Sequence, residues 1–208
     1  MSNSAYITTK KNYEIGGIAI YVHWNGGRDS VEGFLKYCEL KGYRAPNADG
    51  YGWARLAQVI GNFFGGTVSV GIEYIRPGFE YCSDNGFYII EGWKIVDRKN
   101  PPLFEQKNWT LNKMLFDIDN SMPKEEQLGQ DFFNSKEVKT TDINVGDTVV
   151  FYHELDSKYI TCKVEGLGDG VVNGFDRTGI PYVDVFGEDH KKNPNNYIMT
   201  ETVRKLSM

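Results

Sequence analysis

Apolar and β-branched residues follow one another from Ile15 to Val22, Ile15-Gly16-Gly17-Ile18-Ala19-Ile20-Tyr21-Val22, and this run predicts a hairpin or a first buried strand bent at its glycines. The loop His23-Trp24-Asn25-Gly26-Gly27-Arg28 leads from it to Asp29-Ser30-Val31-Glu32, where a side-chain acceptor stands three residues before a carboxylate. That is the capping-box spacing, so a helix is expected to start at Asp29. Its apolar positions Val31, Phe34, Leu35 and Cys38 recur every three or four residues, and Gly42 supplies a left-handed stop beyond Lys41. A second amphipathic helix is marked by Trp53, Leu56, Ala57, Ile60 and Phe64 and closed by Gly65-Gly66.

Strict alternation over Thr67–Tyr74 predicts a half-buried strand. The segments 86–90 and 93–97 flank Glu91-Gly92, a dipeptide suited to a tight hairpin. Residues 1–98 are therefore expected to form an α+β domain, an antiparallel sheet with two helices on one face. Residues 99–140 change character, opening on Lys99-Asn100-Pro101-Pro102 and holding one amphipathic run, Leu111 to Asp119. They read as a linker with one helix. From Ile143 the pattern is wholly β, with apolar alternation at Thr148–Tyr152, Tyr159–Glu165, Tyr182–Phe186 and Ile198–Leu206. Residues 141–208 are expected to form a small all-β barrel, SH3-like in the pattern of its strands. Gly166-Leu167-Gly168-Asp169-Gly170 opens onto Val171-Val172 and not onto a helix, so it reads as a β-turn rather than a phosphate cradle.

Composition narrows the classes of function. With 40% hydrophobic and 25% charged residues in 208 positions the chain is an ordinary globular one, and 14% aromatic residues with 23 glycines suit a β-rich fold with tight turns. The net charge of -5 is uneven: residues 1–100 carry 11 Lys/Arg against 10 Asp/Glu, residues 141–208 carry 7 against 11. A protein gripping a duplex by its phosphates shows a basic stripe, and no run of like charge provides one, so direct nucleic-acid binding is not expected. The three cysteines, Cys38, Cys82 and Cys162, have no C-x-x-C spacing and cannot all pair, which fits a reducing compartment. No signal peptide or spanning run is read, so the cytoplasm is the expected location and no membrane partner is expected.

Chemistry has few places to reside. His23, His153 and His190 are scattered away from the cysteines, so no metal site and no cofactor are expected. His23, Cys38 and Asp29 have the residue types of a thiol nucleophile with base and orienter, but Cys38 falls on the apolar helix face with Phe34 and Leu35. No catalytic residue is assigned, and the paired carboxylates Asp117 with Asp119 and Asp184 with Glu188 read as solvent-facing. The loop His23–Asp29 has the marks of a binding site: it leaves a strand, precedes a helix N-terminus and carries His23, Trp24, Asn25 and Arg28. Arg28 and the helix amides favour an anion, whereas Asp29 as cap opposes one. Tyr51, Trp53 and Arg55, at the start of the second helix, would complete an aromatic and cationic rim if they faced that loop. Otherwise Tyr21 and His23 are packing residues and Gly26-Gly27 is a turn.

The stretch Tyr21-Val22-His23-Trp24-Asn25-Gly26 resembles the Tyr-x-His-Trp-Asp-Gly run of small accessory proteins carried by phages and integrated mobile elements, with Asn25 in place of the usual Asp. The resemblance extends through Tyr51–Leu56 to about Asp97. It implies a protein that acts without catalysis, by occluding a host or phage protein in the bacterial cytoplasm, such as a nucleic-acid-binding defence nuclease in the manner of an anti-CRISPR protein. The acidic C-terminal module would then meet a basic groove. A different class remains open: a small-ligand protein, either a sponge for a signalling nucleotide or a cryptic hydrolase, working through Trp24, Arg28, Trp53 and Arg55. A structural module of a virion or transfer apparatus is the third reading.

Overall fold

The computed structural model describes residues 3–46, 50–66, 69–78, 82–153, 158–172, 175–186, 197–198 and 202–206. The chain divides into two units, Met1–Gln127 and Leu128–Met208.

The first unit is built on a strand that periodicity misses. β1 (Ala5–Thr9) is buried at every position. A strand covered on both faces shows no alternation, so Ala-Tyr-Ile-Thr-Thr gives no half-buried signature. It lies at the centre of a five-stranded sheet ordered β3-β2-β1-β4-β5, with β2 (Gly17–Val22), β3 (Val70–Ile75), β4 (Phe87–Glu91) and β5 (Lys94–Lys99). β1 runs parallel to β4, with Ile7 opposite Tyr88, while the other neighbours are antiparallel. The sheet expected to be antiparallel is thus mixed, because the long excursion through two helices and β3 returns the chain beside β1 in the same direction. The hairpin turn is Gly92-Trp93, one residue later than expected: Glu91 still pairs with Lys94, and Gly92, at φ 61, takes the first central position, where a II′ turn needs glycine.

Register sorts the sheet into two faces. Tyr6, Ala19, Ile75, Phe87 and Ile89 form one cluster, with Tyr13 and Tyr21 against it. The short helix α1 (Lys10–Ile15), another element without a sequence forecast, supplies Tyr13. Ile7, Ile20, Val22, Tyr88 and Ile90 fill the opposite face and are fully buried beneath the longer helices. α2 (Arg28–Leu40) presents Val31, Phe34, Leu35 and Cys38 there, and α3 (Gly50–Phe63) presents Leu56, Val59 and Ile60. Both helices stop as their glycines require: Gly42 at φ 65 and Gly66 at φ 75 are followed or joined by amides that reach back to the Cys38 and Gly61 carbonyls.

A third helix, α4 (Leu111–Ser121), begins at Thr110, whose hydroxyl accepts the Lys113 amide, and buries Met114, Leu115 and Ile118. It packs on α2 so closely that a Cβ on Gly33 would lie 2.4 Å from Met114 Cγ. The Tyr37 hydroxyl donates to Asp119 Oδ1 at 2.8 Å, and Lys41 Nζ donates to the Glu126 carbonyl at 2.6 Å. The helix expected in a linker over 99–140 is therefore part of the first unit's core. Asp119, read as solvent-facing, is buried and takes the Tyr37 proton donor because a buried carboxylate requires one.

The second unit starts with α5 (Gln130–Asn134) and β6 (Ser135–Lys139), both without forecast. β7 (Thr148–His153), β8 (Lys158–Val172), β9 (Phe175–Phe186), β10 (Tyr197–Ile198) and β11 (Thr202–Leu206) follow, in one antiparallel sheet ordered β10-β9-β8-β7-β11-β6. Its core holds Ile143, Val149, Cys162, Val164 and Val203, with Val138, Phe151 and Ile160 against them. β6 and β10 stand at the two ends of this order, so the described strands do not close into a barrel. The glycine run 166–170 lies within β8 as extended strand with register shifts toward β9, not as a turn.

Candidate functional site

Where β2 gives way to α2, the chain is fixed mainly by its backbone. His23 donates its amide to Ser69 O at 2.9 Å, its carbonyl accepts the Asn3 amide at 3.3 Å, and Gly26 donates to Asn3 O at 2.6 Å. Asn25 adopts φ 54, a left-handed conformation that asparagine and aspartate tolerate better than other side chains. Gly26 is needed for space: a Cβ there would sit 2.6 Å from Asn3 O and 2.7 Å from Ala5 N. The buried Tyr88 hydroxyl donates to the Gly26 carbonyl at 3.0 Å, and burial raises its pKa above the ordinary tyrosine value. The Asn25-Gly26 pair thus has an architectural role.

The side chains of the loop are largely committed. Tyr21 Oη and His23 Nδ1 are 3.2 Å apart, and Trp24 meets the His23 ring edge-on at 4.7 Å while remaining partly exposed. Arg28 donates Nε–H to Glu32 Oε1 at 2.7 Å, a bond that raises the guanidinium pKa further. α2 starts two residues earlier than the capping-box spacing predicts, with Gly27 and not Asp29 at the N-cap and no side-chain cap. Asp29 instead ties down a distant segment: its Oδ2 accepts the amides of Asn108 at 2.7 Å and Trp109 at 2.9 Å, and its Oδ1 accepts that of Ser30 at 2.7 Å. A carboxylate in that place opposes an anion.

Tyr51, Trp53 and Arg55 lie at the other end of α2. Phe34, midway along α2, meets Phe63 and Phe64 at the end of α3, whereas Tyr43, just past α2, lies under the Arg55 guanidinium at 5.6 Å. The two helices are therefore antiparallel, and the length of α2, about 20 Å for 13 residues, separates Arg28 from the start of α3. Trp53 is buried, Tyr51 is exposed near Arg44, and Arg55 donates to Gln58 Oε1 at 2.7 Å. The rim that would join His23, Trp24, Asn25 and Arg28 to Tyr51, Trp53 and Arg55 is not formed.

What the His23–Arg28 loop does adjoin is a segment expected to lie within the linker. Asn3 Nδ2 donates to Gln106 Oε1 at 2.9 Å, and the Arg28 amide to Glu105 Oε1 at 3.2 Å. Arg98 acts as the hub. It donates to the Asn85 carbonyl at 3.0 Å and to Asn85 Oδ1 at 3.1 Å, pairs with Glu105, and lies 4.4 Å from the centre of the Tyr88 ring. Asn85 in turn bonds Asn3 Oδ1 and Ser4 O, and Asp84 Oδ2 accepts from the Ser4 amide and hydroxyl. These bonds brace residues 105–109 against the end of the sheet. Just before the braced stretch, Leu103 and Phe104 are 96% and 86% exposed. Two adjacent apolar residues after Pro101-Pro102, outside any periodic pattern, were the available signal in the sequence.

Cys38 is buried in α2, and burial pushes its thiol pKa up, away from the thiolate a nucleophile requires. Among the described residues no group of three His, Cys, Asp or Glu is placed to hold a metal ion, and no helix is long and apolar enough to cross a membrane. No family model matches the chain, and neither a curated protein nor a solved structure matches it.

Proposed function

We propose that this chain works by binding another protein, with Leu103 and Phe104 as the anchor. The observation that carries the reading is the pairing of an almost fully exposed Leu-Phe tip with a base held by Arg98, Glu105 and Asp29. Exposed apolar residues cost solubility unless something covers them, and fixing the loop before association lowers the ordering cost of binding. Neutralised cations near the tip favour a protein over an anionic lipid surface: Arg98 meets Glu105, Lys99 meets Asp97 and Arg28 meets Glu32. The partner then offers an apolar pocket, as hot-spot residues require.

Within that reading we place the protein among accessory proteins of phages and mobile elements. The proposed target is a host or phage protein, foremost a nucleic-acid-binding defence nuclease whose basic groove suits the acidic second unit, taken here as SH3-like in kind. The ligand-sponge reading loses its main support, since Trp24 and Arg28 stand a helix length from Trp53 and Arg55. The test is an affinity measurement against a panel of purified defence nucleases. Phe104→Ala and Leu103→Ala should each weaken binding by about tenfold or more, and raised salt should weaken the wild type. Binding that ignores both substitutions would overturn the assignment of the tip; no binding to any nuclease would overturn the target.

A further inference from the structure

The outer strands of this protein differ in how they meet solvent. β5 carries Lys94, Asp97, Arg98 and Lys99, and β6 carries Lys136, Glu137 and Lys139, charges of the kind that discourage a further strand from adding. β3, Val70-Gly71-Ile72-Glu73-Tyr74-Ile75, has one charged residue, and Glu73 accepts the Tyr6 hydroxyl at 3.2 Å on the opposite face from Ile72 and Tyr74. No proline or bulge interrupts its pairing with β2. Ile72 and Tyr74 are 62% and 67% exposed, beside the partly exposed Ile18 of β2.

The ladder also has a definite phase. The His23 amide bonds Ser69 O, and His23 and Ser69 continue the register in which Val22 faces Val70. In an antiparallel pair this makes Ser69, Gly71, Glu73 and Ile75 the residues whose N–H and C=O turn toward β2. Val70, Ile72 and Tyr74 turn theirs to the outer side, on which no described strand lies.

We propose that the outer edge of β3 is a dimerisation surface for a second copy of this chain, added antiparallel about a two-fold axis at Ile72, so that two five-stranded sheets become one. In this register Ile72 faces the partner's Ile72 and Val70 faces the partner's Tyr74. Each of these facing pairs exchanges both backbone hydrogen bonds. The same residues form one apolar ladder across the junction, and Glu73 stands opposite Gly71, which keeps the two carboxylates apart. Sliding the centre to Glu73 sets carboxylate against carboxylate and forfeits a hydrogen-bonded pair, and sliding it to Gly71 pushes Tyr74 past the end of the partner's β3. The two-fold arrangement uses the same edge on both copies, so it closes as a dimer and does not propagate. It does not depend on the Leu103–Phe104 tip.

The test uses the full chain with Cys82→Ser, which removes the exposed native thiol. Ile72→Cys should form a disulfide-linked dimer under mild oxidation, since directly facing residues have Cα atoms about 5.5 Å apart, within disulfide reach. Lys94→Cys on β5 should remain monomeric. In sedimentation equilibrium Ile72→Lys, which sets two ammonium groups face to face, should raise the dimer dissociation constant about tenfold or more with unchanged far-UV circular dichroism. Tyr74→Lys should do likewise, and serves if Ile72→Lys fails to fold. The proposal is overturned by a monomer at every concentration with Ile72→Cys linking no faster than Lys94→Cys, by a dimer indifferent to both lysine substitutions, or by linkage through β5.

Discussion

Gly26 shows how one residue sets the end of the sheet. Its hydrogen in place of a side chain lets the loop pass against Asn3 and Ala5, its amide bonds Asn3 O, and its carbonyl receives the buried Tyr88 hydroxyl. Gly26→Ala forces backbone against backbone, so it should destabilise the first unit by about 1–3 kcal/mol in denaturant unfolding. A loss below a few tenths would mean that the loop relaxes freely and that the Asn-Gly pair is not architectural. The same close fit explains why this motif read as a site: aromatic residues, asparagine and glycine at a strand end suit both a ligand loop and a tightly packed turn. Only the neighbours of the atoms distinguish the two.

Among the elements, the corner between β7, β8 and β11 depends on a carboxylate. Asp147 Oδ2 accepts the Asn144 amide at 2.8 Å and pairs with Lys205 Nζ at 2.7 Å, while its backbone carbonyl accepts the Val164 amide at 2.9 Å. The Lys205 ammonium, with the Asn144 amide second, lowers the Asp147 pKa below its ordinary 3.8. A lowered carboxylate pKa stabilises the fold above the unfolded value and ceases to do so as the pH falls through the folded one. The second unit should therefore lose stability below about pH 4, and Asp147→Asn should flatten that acid limb in melting curves. With Lys205 partly open to solvent, the ion pair contributes about 1 kcal/mol or less at neutral pH. An acid limb unchanged in Asp147→Asn would assign it to other carboxylates.

In the whole molecule the boundary at Gln127 carries the consequence. α4 completes the first core through Met114, Leu115 and Ile118, and Glu126 receives Lys41, so residues 99–127 belong to the unit that precedes them. A fragment of residues 1–127 should unfold cooperatively, whereas one ending at residue 98 exposes Tyr37, Gly33 and the rest of the α2 face that α4 covers, and should not. Cooperative melting of the shorter fragment would restore 99–140 to the status of a linker. Proline-rich sequence before a single amphipathic run suggested that status, since nothing local distinguishes a helix docked on its own domain from one between two domains.

Local chemistry by itself determined the two long helices, because period and glycine stops are written within a dozen residues, and it determined the alternating strand and the hairpin of the first unit. It also marked the His23–Arg28 loop as unusual. Tertiary structure decided what locality does not encode. A strand buried on both faces has no alternation, so β1 and its parallel pairing with β4 emerged only from the assembled sheet. The direction of α3 relative to α2 set Tyr51, Trp53 and Arg55 a helix length from Arg28. The partners of Asp29 lie about eighty residues away at Asn108 and Trp109, and a hydrogen bond across that distance leaves no trace in spacing or composition, because it exists only once the intervening chain has packed.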